Sequence, residues 1–264
     1  MDSLKKQQTF SIINSLSVLI AIGVNYYSQV YKINGNTVGR LSDEYANLFT
    51  PAGYAFSIWG LIYLGLIVFS TFQIYQTFKL KKKVDFIVQT NYWFALTNLA
   101  NAAWIIAWLN EYTLLSVLIM FVMLFSLVKI ILNTNMERWD APKKIIAFYW
   151  WPICLYSGWI AVATIANVSA YLAKIEWTRL GLSEIQWTII MILIATFLNI
   201  IMIYKRNMRE FAAIGVWALL AIFVRHQSEY QNIAYTALSG AIILLVFIMY
   251  HGFKNRKMNP FFPK

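Results

Sequence analysis

Cysteine is almost absent from this sequence. Cys154 is the single one among 264 residues, so no disulfide can close within the chain and no thiolate cluster can hold a metal; it reads as a small apolar filler. Charge is scarce as well. Only 12% of the residues are charged while 60% are hydrophobic, a balance that cannot clothe a soluble domain of this size. Carboxylates are rarer than bases. All 11 fall between apolar runs or at their ends, namely Asp2, Asp43, Glu44, Asp85, Glu111, Glu137, Asp140, Glu176, Glu184, Glu210 and Glu229. None stands in the middle of a run, where proton-driven transporters and pumps keep one. The two histidines, His226 and His251, close separate runs at opposite ends and so cannot share one haem iron. No Ser–His–Asp arrangement, CxxC pair, phosphate loop or dinucleotide fingerprint is present, which argues against hydrolytic, dithiol and nucleotide-binding enzymes.

What is present in quantity is apolar sequence. Eight runs are read, at about residues 10–31, 52–77, 90–109, 112–133, 145–172, 184–204, 209–225 and 230–250. Most are near the length that crosses a hydrocarbon core of roughly 30 Å. The fold class that follows is all-α, a polytopic bundle of about eight transmembrane helices, with the seventh the shortest. The first run lacks an Ala-x-Ala cleavage pattern and is expected to stay as a membrane helix.

The net charge of +11 suggests nucleic acid until its distribution is followed. With eight spans, 17 of the 22 basic residues share the side of the termini: Lys5, Lys6, Lys79, Lys81, Lys82, Lys83, Lys129, Arg138, Lys143, Lys144, Lys205, Arg206, Arg209, Lys254, Arg256, Lys257 and Lys264. Lys32, Arg40, Lys174, Arg179 and Arg225 are on the other. This is the positive-inside bias. It implies a multi-pass protein with both termini cytoplasmic, in what is expected to be a bacterial plasma membrane. The partners are then the lipid bilayer and its anionic headgroups, not nucleic acid.

Inside the runs stand aromatic rings and amides. In FTPAGYAFSIWGLIY, residues 49–63, Thr50 has the character of an N-cap and Pro51 that of a first helical residue. Phe56, Trp59 and Tyr63 then line one face. In the third run Asn98, Asn101 and Trp108 form a stripe with Trp104 beside it. In the fifth, Pro152, Tyr156, Trp159, Ala163 and Asn167 keep to one face. Buried amides in lipid need partners, so Asn98, Asn101 and Asn167 are expected to point into the bundle. Two readings stand side by side: polar glue between helices, or stacking faces and anchors for a flat ligand. Trp139, Trp177 and Trp187 sit at run ends and read as interfacial anchors, and Ser239, Gly240 and Ala241 as a close helix contact.

In this arrangement the sequence resembles the TspO/translocator-protein family of tryptophan-rich sensory proteins. Thr50, Pro51, Phe56, Trp59 and Tyr63 stand in register with the motif that opens the family's second helix, with Tyr54 in place of a tryptophan. Ala100, Asn101 and Trp104 match the Leu-Asn-x-x-Trp of its third helix. Trp159, Ala163, Thr164 and Asn167 match the Trp-x-x-x-Ala-Thr-x-x-Asn of its fifth. The second proline of the family motif is Ala52 here, and its Gly-Pro is Ser57-Ile58. The resemblance covers about residues 10–172, which divides the chain into a five-helix part at 1–180 and an appended three-helix segment with a basic tail at 181–264.

The resemblance implies a tetrapyrrole or similar flat hydrophobic ligand, porphyrin- or haem-type, held in a pocket and used in sensing or transport. No further cofactor is implied, and a homodimer is compatible with it. The ligand would be lined by Tyr54, Trp59, Tyr63, Asn101, Trp104, Trp108, Tyr156, Trp159 and Asn167. Family members are associated with light-dependent porphyrin breakdown, which would involve Trp59 and Trp159; no catalytic residue or metal site is otherwise assigned. Val168, Tyr171 and Lys174 fit the family's loose sterol pattern, but Leu198, Tyr204 and Arg206 fit it equally well. The competing readings are a permease for a small hydrophobic molecule and a non-catalytic membrane scaffold.

Overall fold

The computed structural model describes residues 3–45 and 47–256; Asp2, Lys257 and Lys264 lie outside them. Among the described residues all regular structure is helical. In chain order the α-helices are α1 (Ser3–Tyr31), α2 (Val38–Glu44), α3 (Ile58–Ile74), α4 (Asp85–Thr90), α5 (Trp93–Leu109), α6 (Thr113–Asn133), α7 (Lys143–Ile145), α8 (Trp151–Lys174), α9 (Glu184–Arg206), α10 (Arg209–His226) and α11 (Gln231–Lys254). Every apolar run of the sequence falls on a helix. Six helical stretches are long and apolar enough to cross a membrane: Leu4–Tyr31, Gly53–Lys79, Thr113–Asn133, Lys143–Lys174, Glu184–Arg206 and Gln231–Lys254. The other two, α5 and α10, are shorter at 17 and 18 residues.

The chain packs as two compact units. The first takes Met1–Val38, Trp59–Trp139 and Lys144–Ile153; the second takes Gly39–Ile58, Asp140–Lys143 and Cys154–Lys264. In the first, α5 packs against both α1 and α6. Protein on two sides explains its composition. Alanines at 100, 102 and 107 are buried with Asn98, Asn101, Trp104 and Trp108, because small residues let neighbouring backbones approach. Below it the core is aromatic: Phe69 stacks on Phe94 at 4.3 Å and meets Tyr149 edge-on at 5.3 Å. Tyr149 lies in a π-helical turn, Ile146–Trp150, that runs directly into α8. Pro152 follows, without the N–H that a regular helix would aim back four residues, and a widened turn accommodates the missing donor.

In the second unit α10 is the middle element, packed against α9 and α11. Close approaches among these three helices depend on glycine. A Cβ at Gly215 would stand 2.7 Å from the Asn199 amide, and one at Gly240 would stand 2.7 Å from the Thr196 hydroxyl. The small-residue contact read at 239–241 is therefore a real helix crossing. α9 begins with a capping box, in which Ser183 Oγ accepts from Gln186 N–H and the Gln186 side chain accepts from Ser183 N–H.

The start of the second run departs from expectation. Thr50 does not cap a helix; its hydroxyl accepts from Asn47 N–H at 3.2 Å. Ala52 is the N-cap, and a 3₁₀ turn, Gly53–Ser57, leads into α3 at Ile58. The cause is tertiary. Ala52 N–H donates to the Ala221 carbonyl of α10 at 3.0 Å, so the chain around Pro51 is drawn onto α10 before it can coil.

Candidate functional site

The nine expected ligand-lining residues divide between the units. Trp59, Tyr63, Asn101, Trp104 and Trp108 belong to the first; Tyr54, Tyr156, Trp159 and Asn167 to the second.

Within the first unit two aromatic pairs form along single helices. Trp59 and Tyr63 on α3 stack at 5.3 Å with 26° between their planes. Trp104 and Trp108 on α5 are nearly parallel, at 5.9 Å and 13°. Both pairs are four residues apart, so the helix repeat itself brings the rings face to face. The Trp108 indole donates to the Val38 carbonyl at 3.4 Å. Asn101 stands on α5 about one turn before Trp104. It is fully buried; its Oδ1 accepts from Asn25 Nδ2 at 2.9 Å, while its own Nδ2 has no hydrogen-bond partner among the described residues. An amide donor left unmatched in a low-dielectric interior costs about 1–3 kcal/mol, so Asn101 presents a donor that a ligand acceptor would satisfy.

Within the second unit Tyr156, Trp159 and Asn167 are buried on α8. Phe56 meets Trp159 edge-on at 6.1 Å. Tyr54 is 43% exposed and sits edge-on to Trp217 at 5.2 Å. The indole N–H of Trp217 donates to the Ala55 carbonyl at 3.1 Å, which fixes this turn of the chain. A small cavity of about 40 Å³ lies elsewhere in the unit, lined by Asn47, Trp177, Arg179, Glu184 and Trp187 among others. It has room for a few waters and is far too small for a tetrapyrrole.

Several residues of this interior escaped the sequence reading. Asn25 is the partner of Asn101, its Nδ2 donating to Asn101 Oδ1 at 2.9 Å, while Asn14 and Gln73 form a pair of their own, Asn14 Nδ2 donating to Gln73 Oε1 at 2.9 Å. Asn199 of α9 is buried against Gly215. The signal was available on α1, where Gln7, Ser11, Asn14, Asn25 and Ser28 recur at helical spacing, but it was masked by the apolar residues between them.

A family model described as TSPO-like protein matches residues 11–250. The chain belongs to the TSPO-like protein family. No curated protein and no solved structure matches it. The match runs well past residue 172, so α9, α10 and most of α11 lie inside the family region of this TSPO-like protein. The contacts agree with that extent, since segment 39–58 is held by α9 and α10 through Ala221, Trp217 and the carboxylate of Glu184, which accepts from Leu48 N–H at 3.4 Å.

Proposed function

We propose that this TSPO-like membrane protein binds a flat, conjugated hydrophobic molecule of the tetrapyrrole class within the bilayer, in a sensing or transport role. The observation that supports the reading best is Asn101, a buried amide with one uncommitted donor, on the same helix as the parallel indoles Trp104 and Trp108. Rings supply area at small entropic cost, and a single polar group supplies orientation. Trp59 and Tyr63 of the same unit are assigned to the same task; Tyr54, Tyr156, Trp159 and Asn167 are assigned to contact with a flat apolar ligand in the second unit. The proposed setting is a bacterial plasma membrane with both termini cytoplasmic. The ligand comes from the membrane phase, and no cofactor is needed.

Protoporphyrin added to the purified protein is expected to quench tryptophan fluorescence saturably. Trp59→Leu removes one stacking partner, worth about 1 kcal/mol, or roughly a fivefold rise in Kd. Asn101→Leu is expected to weaken binding by at least as much, because the ligand acceptor loses its donor. Asn25 keeps a partner in that variant, since its Nδ2 also donates to the Ala21 carbonyl, so the fold should hold. Trp187→Leu, in the Trp177–Trp187 pair of the second unit, is the control and should bind like the parent. Parent-like affinity in both pocket variants would leave the aromatic faces as helix packing alone.

Orientation is tested separately. A reporter fused after Lys264 should be active on the cytoplasmic side and one inserted at Asn36 on the opposite side. Termini on opposite sides would mean an odd number of crossings, with α10 the first to be reassigned.

A further inference from the structure

We propose that the first unit encloses a hydrated polar seam running most of the way across the bilayer, a site for small uncharged molecules that carry both a donor and an acceptor. This goes beyond the flat-ligand reading and does not depend on it.

The seam starts from α1. Gln7, Ser11, Asn14, Ser17 and Ser28 are each 3% exposed or less. With Asn25 they keep to one side of the helix. From Gln7 to Ser28 the rise is about 32 Å at 1.5 Å per residue, roughly the thickness of a hydrocarbon core. Where a membrane helix would ordinarily present aliphatic side chains to its neighbours, α1 presents amides and hydroxyls. Facing rows come from two other helical stretches. Tyr63, Ser70, Gln73 and Thr77 recur along α3 and the π turn that ends it, Tyr75–Lys79. Asn98 and Asn101 stand on α5. No residue of the three rows is charged.

Hydrogen bonds tie the rows together at successive levels. Thr77 Oγ1 is 3.3 Å from Ser11 Oγ, Asn14 Nδ2 donates to Gln73 Oε1 at 2.9 Å, Asn98 Nδ2 donates to Ser17 Oγ at 3.2 Å, and Asn25 Nδ2 donates to Asn101 Oδ1 at 2.9 Å. Among the residues of the three rows six buried atoms have no partner among the described residues: Asn14 Oδ1, Gln73 Nε2, Asn98 Oδ1, Asn101 Nδ2, Ser70 Oγ and the Tyr63 hydroxyl. Exchanging oxygen and nitrogen in both Asn14 and Gln73 leaves the same number unmatched, so amide assignment does not remove them.

A seam that served only to glue helices would pair its groups off, because an unmatched polar atom in hydrocarbon is costly. Here three of the four links, those made by amides, leave an unmatched amide atom beside the bonded one. The leftovers are two acceptors, two donors and two hydroxyls that serve as either. That mixture suits molecules that donate and accept at once, water above all, and neutral amides such as urea. It does not suit ions, for which no compensating charge is at hand.

The test uses the unmodified protein in lipid bilayers, isotopically labelled, with solid-state spectra edited by magnetisation transfer from water. Asn14, Asn98 and Gln73 are expected to build up signal nearly as fast as Asn91, an exposed loop amide, and several times faster than Leu99, which is exposed on α5 beside Asn98. Build-up at Asn14 and Asn98 as slow as at Leu99 would overturn the proposal. Light-scattering assays of urea entry into proteoliposomes then separate the two sources. Urea entry that Ser70→Phe abolishes makes the solute an occupant. Fast water transfer without urea entry makes water the occupant. Each of these outcomes supports a hydrated seam.

Discussion

Gly158→Val is expected to yield protein that either fails to become monodisperse in detergent or unfolds at a much lower temperature. Gly158 lies on α8 in the second unit. A Cβ there would stand 2.9 Å from the carbonyl oxygen of Phe211 and 3.1 Å from Ile214 Cβ. The first neighbour is backbone of α10 and cannot turn aside as a side-chain end could. Two further methyl groups on valine would press into Ile214, which is itself buried. Overpacking of this kind costs about 1–3 kcal/mol, and more where backbone must shift, against a total stability of about 5–15 kcal/mol. Gly23→Ala is the counterpart. A Cβ at Gly23, within α1, meets nothing within 4 Å, so the helix should lose an unfavourable glycine and gain about 0.5–1 kcal/mol. Thermal unfolding of both variants reads the contrast. Equal melting temperatures would mean that α8 and α10 do not meet at Gly158 as described.

Deleting residues from 181 onward is expected to have a still larger effect, on a part of the chain far away in sequence. Segment 39–58 of the second unit depends on what is removed. Ala52 N–H would lose the Ala221 carbonyl, the Ala55 carbonyl would lose the Trp217 indole, and the Pro51 carbonyl would lose Arg225. Arg225 also pairs with Asp43 at 2.8 Å; Asp43 is well exposed, so that ion pair counts for little. Phe49, 1% exposed, packs in one cluster with Ile192, Val216 and Leu219 and would be left bare. Each orphaned backbone group costs about 1–3 kcal/mol and an unburied phenylalanine about 2–3 kcal/mol. Together these rival the whole stability of a domain. The shortened protein should aggregate or be cut by trypsin at Arg40. A monodisperse product as resistant to trypsin as the parent would show that 39–58 holds its shape without α9–α11.

The class of this protein was set by its residues alone. Long apolar runs with few charges inside them have one physical solution in lipid, helices whose backbone groups are satisfied internally, and the runs lie on helices, six of the helical stretches being long and apolar enough to cross a membrane. The aromatic pairs were equally legible, because a four-residue spacing stacks Trp59 on Tyr63 and Trp104 beside Trp108 whatever surrounds them. Tertiary structure decided the rest. Thr50 and Pro51 carry every local mark of a helix start, yet the Ala221 carbonyl takes the Ala52 N–H and moves the cap. Asn98 and Asn101 announced themselves as inward amides, but their spacing could not say that Ser17 and Asn25 of α1 would meet them, since a hydrogen bond between helices depends on crossing angle and depth. Nor could spacing say that one half of each amide would be left unmatched. Periodicity reports which face a residue is on; only packing determines what it meets there.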